Sequence, residues 1–412
     1  MTHSVVIIGA SHAAAQTSVS LRQGGFEGDI TVVGDEAVLP YHRPPLSKDF
    51  LSGHKAIDDI LIRPAESYSD AEIDMKLGVR ILEIDRASKT VRADNGDVLL
   101  YDKLILTTGA RIRRLPVQGE DLQNVFYLRD TADVLAIKAK TETSKKAVII
   151  GGGYIGLETA ASLRKQGLEV TVLEAMPRIL QRVTAPVMSE FYKRVHEEEG
   201  VDIQENVMAS TIEQHGEQLK VVTACEQSFT ADMVIIGIGV IPNTELASAA
   251  GLSVGNGIEV NEFCQTSDPD IYAAGDVTWH YNAIYDTHLR LESVPNATEQ
   301  GKTVASHING QAKPYNSLPW FWSDQFDLKL QIAGLSTGYD QVVIRGDNET
   351  GRSFAAYYFK DQKFIAVDAV NAPRDFMFGK QALSKVRALD PKVLSDPDAD
   401  LKMAIKSDEG KS

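Results

Sequence analysis

Two short turns carry residue types at a spacing suited to holding a phosphate. Gly151-Gly152-Gly153-Tyr154-Ile155-Gly156 fits the pattern GxGxxG. Gly9-Ala10-Ser11-His12-Ala13-Ala14 fits it in outline, with Ser11 and Ala14 where the second and third glycines stand. In such turns glycine permits the tight bend and a close backbone approach to a pyrophosphate, which rests on the N-terminus of the following helix. An acid follows each turn at the distance expected of a ribose hydroxyl acceptor, Asp35 after the first and Glu174 after the second. The other reading of each acid is an exposed carboxylate at a strand end. A Glu174 that holds a ribose 2′-hydroxyl repels a 2′-phosphate, which favours NADH over NADPH. Two such turns imply two dinucleotides, one a tightly held flavin and the other an exchanging nicotinamide.

The elements around these turns are themselves repeated. Val5-Val6-Ile7-Ile8-Gly9 recurs as Ala147-Val148-Ile149-Ile150-Gly151, each an apolar run read as a buried parallel strand. Helical patterns follow at 13–23 and 155–166, then strands at 30–33 and 170–173. Leu104-Ile105-Leu106-Thr107-Thr108-Gly109-Ala110 closes the first copy, and Met233-Val234-Ile235-Ile236-Gly237-Ile238-Gly239 closes the second. Gly237, Ile238 and Gly239 therefore join the nicotinamide candidates. A further strand, Ile271-Tyr272-Ala273-Ala274-Gly275-Asp276, has no evident counterpart and is assigned to the first copy, which makes that copy the flavin domain. Ser293-Val294-Pro295-Asn296 then precedes a helical run at 297–308, whose N-terminus would stabilise a reduced, anionic ring. An aromatic, strand-rich region follows (328–332, 342–345, 354–359, 364–367), then a helix at 374–387 and a polar tail expected to fray beyond Ser395. The fold class is α/β, with two Rossmann-like dinucleotide-binding domains and a C-terminal α+β domain. The expected boundaries are 1–111 with 243–316 for FAD, 112–242 for NAD, and 317–412 for the C-terminal domain.

Composition narrows the chemistry. The chain has 412 residues, a formal net charge of −15 and two cysteines, Cys225 and Cys264. Their spacing excludes a CxxC redox pair, and two thiols are too few for an iron–sulfur cluster or a disulfide framework. The acidic balance opposes nucleic-acid binding. Uncharged runs are too short to span a bilayer, and no basic residue precedes an apolar run at the N-terminus, so no signal peptide and a cytoplasmic location are expected.

Longer motifs carry a family resemblance. Tyr41-His42-Arg43-Pro44-Pro45-Leu46-Ser47-Lys48, Leu291-Glu292-Ser293-Val294-Pro295-Asn296-Ala297 and Pro319-Trp320-Phe321-Trp322-Ser323-Asp324-Gln325 resemble segments of the ferredoxin reductases that serve oxygenases. Those enzymes belong to the two-dinucleotide flavoprotein reductases with the glutathione-reductase-like fold. Val183-Thr184-Ala185-Pro186-Val187, followed by Phe191-Tyr192, is similar to the branch that serves a cytochrome P-450 type monooxygenase. The resemblance covers nearly the whole chain. It implies FAD and NAD as cofactors and a 2Fe–2S ferredoxin as acceptor. It places Lys48 near the flavin with Glu158 beside it, a candidate catalytic ion pair that orients the nicotinamide. It gives Ala13, Ile81 and Arg129 as flavin contacts, Asp276 on the ribityl chain, Val294 at the ring and Trp322 on the flavin side, with Trp320 nearby. Disulfide reductases of this fold carry a redox cysteine pair, and the related peroxidases a single cysteine near 44–48. This chain has no cysteine before residue 225, so its electrons must go to an external acceptor.

Other readings remain beside this one: the reductase of an aromatic-ring dioxygenase, a rubredoxin reductase, an NADH oxidase or peroxidase, or a flavin-binding signalling module. His12, at a phosphate turn, reads as a helix-start residue. An acidic ferredoxin needs a local basic patch, for which Arg63, Arg290, Lys302, Lys329, Lys402 and Lys406 are candidates.

Overall fold

The computed structural model describes residues 3–406. They form two compact units, the first made of residues 3–43, 55–111 and 240–317, the second of 44–54, 112–239 and 318–406. The 112–239 and 318–406 segments, which the sequence separates into two domains, thus share one unit. They share a core as well: the ring of Phe191 packs edge-on against Phe354 at 4.8 Å, and Thr184 bonds Asp368 at 2.9 Å.

The first unit is built on a five-stranded parallel sheet in the order Ile271–Ala273, Lys103–Leu106, Ser4–Ile8, Asp29–Gly34, Ile73–Leu77. The central strand is buried on both faces, which is why its sequence is an unbroken apolar run. Val5 and Ile7 belong to one core, with Ala13, Ala14 and Ala15 of the helix His12–Gln23 and Ala297 and Val304 of the helix Val294–Ile308. Val6 and Ile8 point the other way, into a core with Ile81, Leu104 and Ile271. The two helices approach closely because Gly301 has no side chain; a Cβ there would meet Thr17 Oγ1 at 2.8 Å and Ala13 O at 3.0 Å.

The second unit repeats this sheet as Val125–Tyr127, Met233–Ile236, Lys146–Ile150, Glu169–Glu174, Val201–Glu205, again all parallel. The strand Ile271–Ala273 therefore does have a counterpart, in Val125–Tyr127. The two occupy the same edge but stand at opposite ends of their segments in the chain, and a three-residue edge strand leaves almost no periodic signal. Each unit also carries a three-stranded antiparallel sheet: Ile81–Asp85, Thr90–Ala93, Val98–Leu100 in the first and Ala209–His215, Gln218–Thr223, Ser228–Ala231 in the second.

A five-stranded antiparallel sheet completes the second unit, in the order Trp320–Gln325, Leu328–Gly334, Lys363–Val370, Ser353–Lys360, Gln341–Asp347. One face, with Tyr357, Val367 and Ala369, packs on Phe376 and Leu383 of the helix Pro373–Ser384. The other presents Phe354, Tyr358 and Asp368. The tail does not fray at Ser395: the turn Leu401–Ala404 folds back, its Ala404 fully buried beside Leu389 and Leu394. Arg345 holds that return by donating to the carbonyls of Pro397 and Ala399 at 2.8 and 2.7 Å. Among the described residues no helix is long and apolar enough to cross a membrane.

Candidate functional site

The two glycine turns have the same backbone construction. Gly9 N donates to Val33 O at 2.7 Å and Gly151 N to Leu173 O at 2.8 Å. Across the turn, Thr107 N donates to Ile8 O and Gly237 N to Ile150 O, both at 2.8 Å. Gly9 and Gly151 have φ of 108° and 115°, and a Cβ at either would drive into the carbonyl of Thr107 or Gly237. Only glycine fits at these two points. The third position differs. A Cβ on Gly156 would strike Gly151 O, whereas Ala14 occupies the matching site and is wholly buried. The first turn is thus slightly wider, and the Ser11 and Ala14 departures are accommodated.

These turns fit a dinucleotide phosphate on structural grounds. Neither helix has a side chain capping its N-terminus: Ser11 and Gly153 stand at the cap with no side-chain bond. The first-turn N–H groups therefore lack an internal partner from the cap. At Gly153 a Cβ would meet nothing within 4 Å, so open space lies in front of the helix Tyr154–Lys165. His12 is the first residue of its helix, buried, with its ring 5.5 Å from that of His42. Ile155 is exposed and Tyr154 half-buried. Gly237 and Ile238 are half-buried beside the second turn, followed by exposed Gly239 at φ 103°.

The acids behave differently in the two turns. Glu174 ends its strand, and its carboxylate accepts from Gly152 N at 2.7 Å and Met176 N at 2.8 Å, tying the glycine turn to the strand end. The matching position in the first unit is Gly34, where a Cβ would collide with that of Ala10. Asp35, one residue on, is 58% exposed and pairs with Arg80 at 3.1 Å on the surface. Glu36 instead turns toward the site: it pairs with Arg43 and bonds Tyr41. Arg43 also reaches Ser11 Oγ at 3.3 Å. Burial works against the Arg43 charge, but Tyr41, Glu36 and Asp276 more than offset it and raise its pKa above the ordinary value. Arg43 and Glu36 are a cluster that sequence reasoning missed, although Arg43 stands in the resembling segment Tyr41–Lys48.

Gly275, at φ 90°, donates its N–H to Gln300 Oε1 at 2.8 Å, and Thr278 donates to the same oxygen at 2.9 Å. Gln300 is fully buried and anchors the Gly275-Asp276 turn to the helix Val294–Ile308. That helix starts three residues earlier than the sequence suggested, at Val294, because Ser293 Oγ accepts from Asn296 N at 3.3 Å and Pro295 preforms the first turn. Ile81 is buried at the start of its strand.

In the second unit Lys48 and Glu158 meet. Lys48 Nζ lies 2.6 Å from Glu158 Oε2, with side chains 17% and 3% exposed. Ser47 Oγ donates to the same oxygen at 2.5 Å, and Ser323 Oγ to Oε1 at 2.6 Å. Ser47 and Lys48 come from the turn Pro44–Ser47 and the residue after it; Ser162 Oγ fixes that turn through Ser47 O at 2.6 Å. The strand Trp320–Gln325 alternates in the ordinary way. Trp320 and Trp322 stack at 5.4 Å on one face, and Trp320 packs on Phe376. Phe321, on the other face, meets the Tyr154 ring at 4.9 Å. Arg129 precedes the helix Thr131–Thr141, its N–H donating to Asp133 Oδ2 at 2.8 Å.

The Val183-Thr184-Ala185-Pro186-Val187 motif has a packing role. Thr184 Oγ1 and Tyr358 OH both donate to Asp368 Oδ2 at 2.9 Å, in the buried interior of the second unit. Burial raises the Asp368 carboxyl to about 6. Cys264 is sealed in the first unit's core and burial pushes its thiol up; Cys225 is exposed on an antiparallel strand connection. Of the basic candidates, Arg290 pairs with Glu292 and Lys302 with Glu299, while Lys329, Lys402 and Lys406 are exposed.

The pyridine nucleotide-disulphide oxidoreductase family model matches residues 3–301, and the reductase C-terminal model matches 320–405. Putidaredoxin reductase of Pseudomonas putida is 41% identical over 407 residues, covering 97% of this chain and 96% of its own. A ferredoxin reductase structure from Rhodopseudomonas palustris superposes with a TM-score of 0.95 at 40% identity, over 98% of this chain and 100% of that one. The putidaredoxin reductase in a covalent complex with putidaredoxin superposes with a TM-score of 0.94 at 40% identity, over 98% of each chain. Twin glycine turns on twin parallel sheets, followed by the antiparallel C-terminal sheet, are thus shared along the full length of these proteins, and the chain belongs to the pyridine nucleotide-disulphide oxidoreductase family, among its ferredoxin reductases.

Proposed function

We propose that the chain is an FAD-dependent NADH:ferredoxin oxidoreductase that passes electrons from NADH to a 2Fe–2S ferredoxin supplying a cytochrome P-450 type monooxygenase. The observation that carries this is the pairing of two like-built phosphate turns with no accessible thiol pair. FAD, when bound, would supply the redox chemistry that links a two-electron hydride donor to a one-electron acceptor. The first unit's own residues would hold FAD. Gly9, Ser11, Ala13 and Ala14 form the turn, and Arg43 reaches it through Ser11 to add positive charge. Asp35 or Glu36 would take the ribose, with Ile81, Gly275, Asp276 and Val294 along the remainder. In the second unit Gly151, Gly153, Tyr154, Ile155 and Gly156 would seat the NADH pyrophosphate, flanked by Gly237, Ile238 and Gly239. Glu174, already bound to two backbone N–H groups, would accept from the ribose and refuse a 2′-phosphate. The Lys48–Glu158 pair would orient the nicotinamide, and the nearly buried carboxylate keeps the ammonium in place. NADH as donor and two free thiols fit a cytoplasmic location.

The test is direct. Purified protein carrying FAD should be bleached by NADH and should reduce a 2Fe–2S ferredoxin much faster than it turns over oxygen or peroxide. Fast peroxide turnover with slow ferredoxin reduction would overturn the proposal. Equal rates with a rubredoxin would move the acceptor to a mononuclear iron protein.

A further inference from the structure

The strand that carries the two tryptophans has a second face, and its polar residues form a continuous chain. Ser323 and Gln325 alternate with Trp322 and Asp324, so both point away from the tryptophans. They are 0% and 1% exposed. Ser323 Oγ donates to Glu158 Oε1 at 2.6 Å. Gln325 Nε2 donates to Ser323 Oγ at 3.1 Å. His196 Nε2 lies 2.8 Å from Gln325 Oε1. Burial pushes His196 down to about 4, so at neutral pH it is an uncharged imidazole. Facing an amide oxygen, its Nε2 carries the hydrogen and donates.

Every link therefore points the same way: His196 to Gln325, Gln325 to Ser323, Ser323 to the Glu158 carboxylate. Aligned donors polarise one another in a low-dielectric interior, so the last bond is stronger than an isolated one. Glu158 is bound on Oε2 by Lys48 and Ser47 and on Oε1 by Ser323. Oε2 alone leaves the carboxylate free to rotate about its bond to Lys48. The Ser323 bond fixes the second oxygen and with it the plane of the group.

We propose that Ser323, backed by Gln325 and His196, is a positioning residue that locks the Glu158 carboxylate and thereby fixes where the Lys48 ammonium stands. This rests on the reading of the Lys48–Glu158 pair as the group that orients the nicotinamide. Ser323 itself need not touch either dinucleotide.

The experiment is stopped-flow reduction of the FAD-loaded protein by NADH in Ser323→Ala, Ser323→Thr, Gln325→Leu and Lys48→Ala. Two readouts accompany the rate: the apparent Kd for NADH, and the long-wavelength charge-transfer absorbance of the NADH-reduced protein, which reports nicotinamide stacking. Losing one bond to a buried carboxylate should lower the limiting rate of Ser323→Ala about 10-fold. The charge-transfer band should weaken and the apparent Kd should stay within about 2-fold. Ser323→Thr keeps the hydroxyl and should restore both rate and band; Gln325→Leu should give a smaller loss of the same kind. Wild-type rate and band in Ser323→Ala, with Lys48→Ala slow, would overturn the positioning role alone. Wild-type rate in Lys48→Ala would overturn the reading beneath it. Should Ser323→Ala fail to fold, the Gln325→Leu and Ser323→Thr pair decides: equal rates and equal bands in the two would overturn the proposal.

Discussion

Replacing Asp368 by asparagine should stabilise the protein, and by an amount that depends on pH. The carboxyl is fully buried, and burial raises it from an ordinary 3.8 to about 6. A raised acid means that the folded state holds its proton more tightly than the unfolded state between those two values. Stability is then highest in acid and falls as pH rises through that window. At 1.36 kcal/mol per pH unit the full loss is about 3 kcal/mol. Linkage over the same two values makes that loss small at pH 4 and nearly complete above pH 7. An asparagine cannot ionise, so it avoids that loss. It also keeps the hydrogen bonds, because Tyr358 and Thr184 both donate to the same oxygen, Oδ2, and an amide oxygen can accept both. Urea unfolding followed by tryptophan fluorescence suits the question, since Trp320 and Trp322 lie in the unit that contains Asp368. With a slope of about 2–3 kcal/mol/M, the Asp368→Asn midpoint should exceed wild type by about 1 M at pH 7.5, and by a small fraction of that at pH 4. A midpoint difference that is flat with pH, or an asparagine variant weaker than wild type at pH 7.5, would refute the reasoning.

Other outcomes follow from the same structure. Lys48→Ala leaves Glu158 buried without its cation, and NADH should reduce its flavin at least about 10-fold more slowly. Gly156→Ala pushes a methyl into Gly151 O and should abolish NADH binding or destabilise the protein by about 3 kcal/mol, whereas Gly153→Ala meets open space and should cost no more than about 1 kcal/mol, as a poorer N-cap. Glu174→Gln should raise kcat/KM for NADPH relative to NADH, and an unchanged ratio would free Glu174 from the specificity role. Ferredoxin reduction should slow as salt rises, while reduction of the flavin by NADH stays nearly constant, because exposed charges are screened beyond about 8 Å at physiological ionic strength.

What the sequence discloses here depends on how local the constraint is. The turns at Gly9 and Gly151 are legible because a positive φ and a close carbonyl leave glycine alone at each point. The central strands are legible because burial on both faces writes an unbroken apolar run. The edge strand Val125–Tyr127, at three residues, is too short to show a period. The displacement of the first acid is a one-residue matter: Gly34 stands where Glu174 stands, so Asp35 points outward and Glu36 inward. No spacing rule resolves that. Lys48 and Glu158 were joined by resemblance, yet Ser323 was not, because a serine contacting a glutamate 165 residues away leaves no pattern in either segment. The segment at 183–192, which carries a resemblance in sequence, also packs: Thr184 bonds Asp368 and Phe191 meets Phe354.

The edge strand Ile271–Ala273 has a consequence for how the protein comes off the ribosome. Its partner, Lys103–Leu106, is made long before it. At about 5–20 residues per second, roughly 10–30 s separate the two. During that interval the nascent first sheet has an uncovered, apolar strand edge, and it also lacks the helix Val294–Ile308 that closes one of its faces. Meanwhile the five strands of the second parallel sheet emerge as an unbroken stretch and can pair among themselves. The late arrival of three residues thus makes the nascent first sheet, rather than the inserted one, the place where a chaperone or a stray strand would find the chain vulnerable.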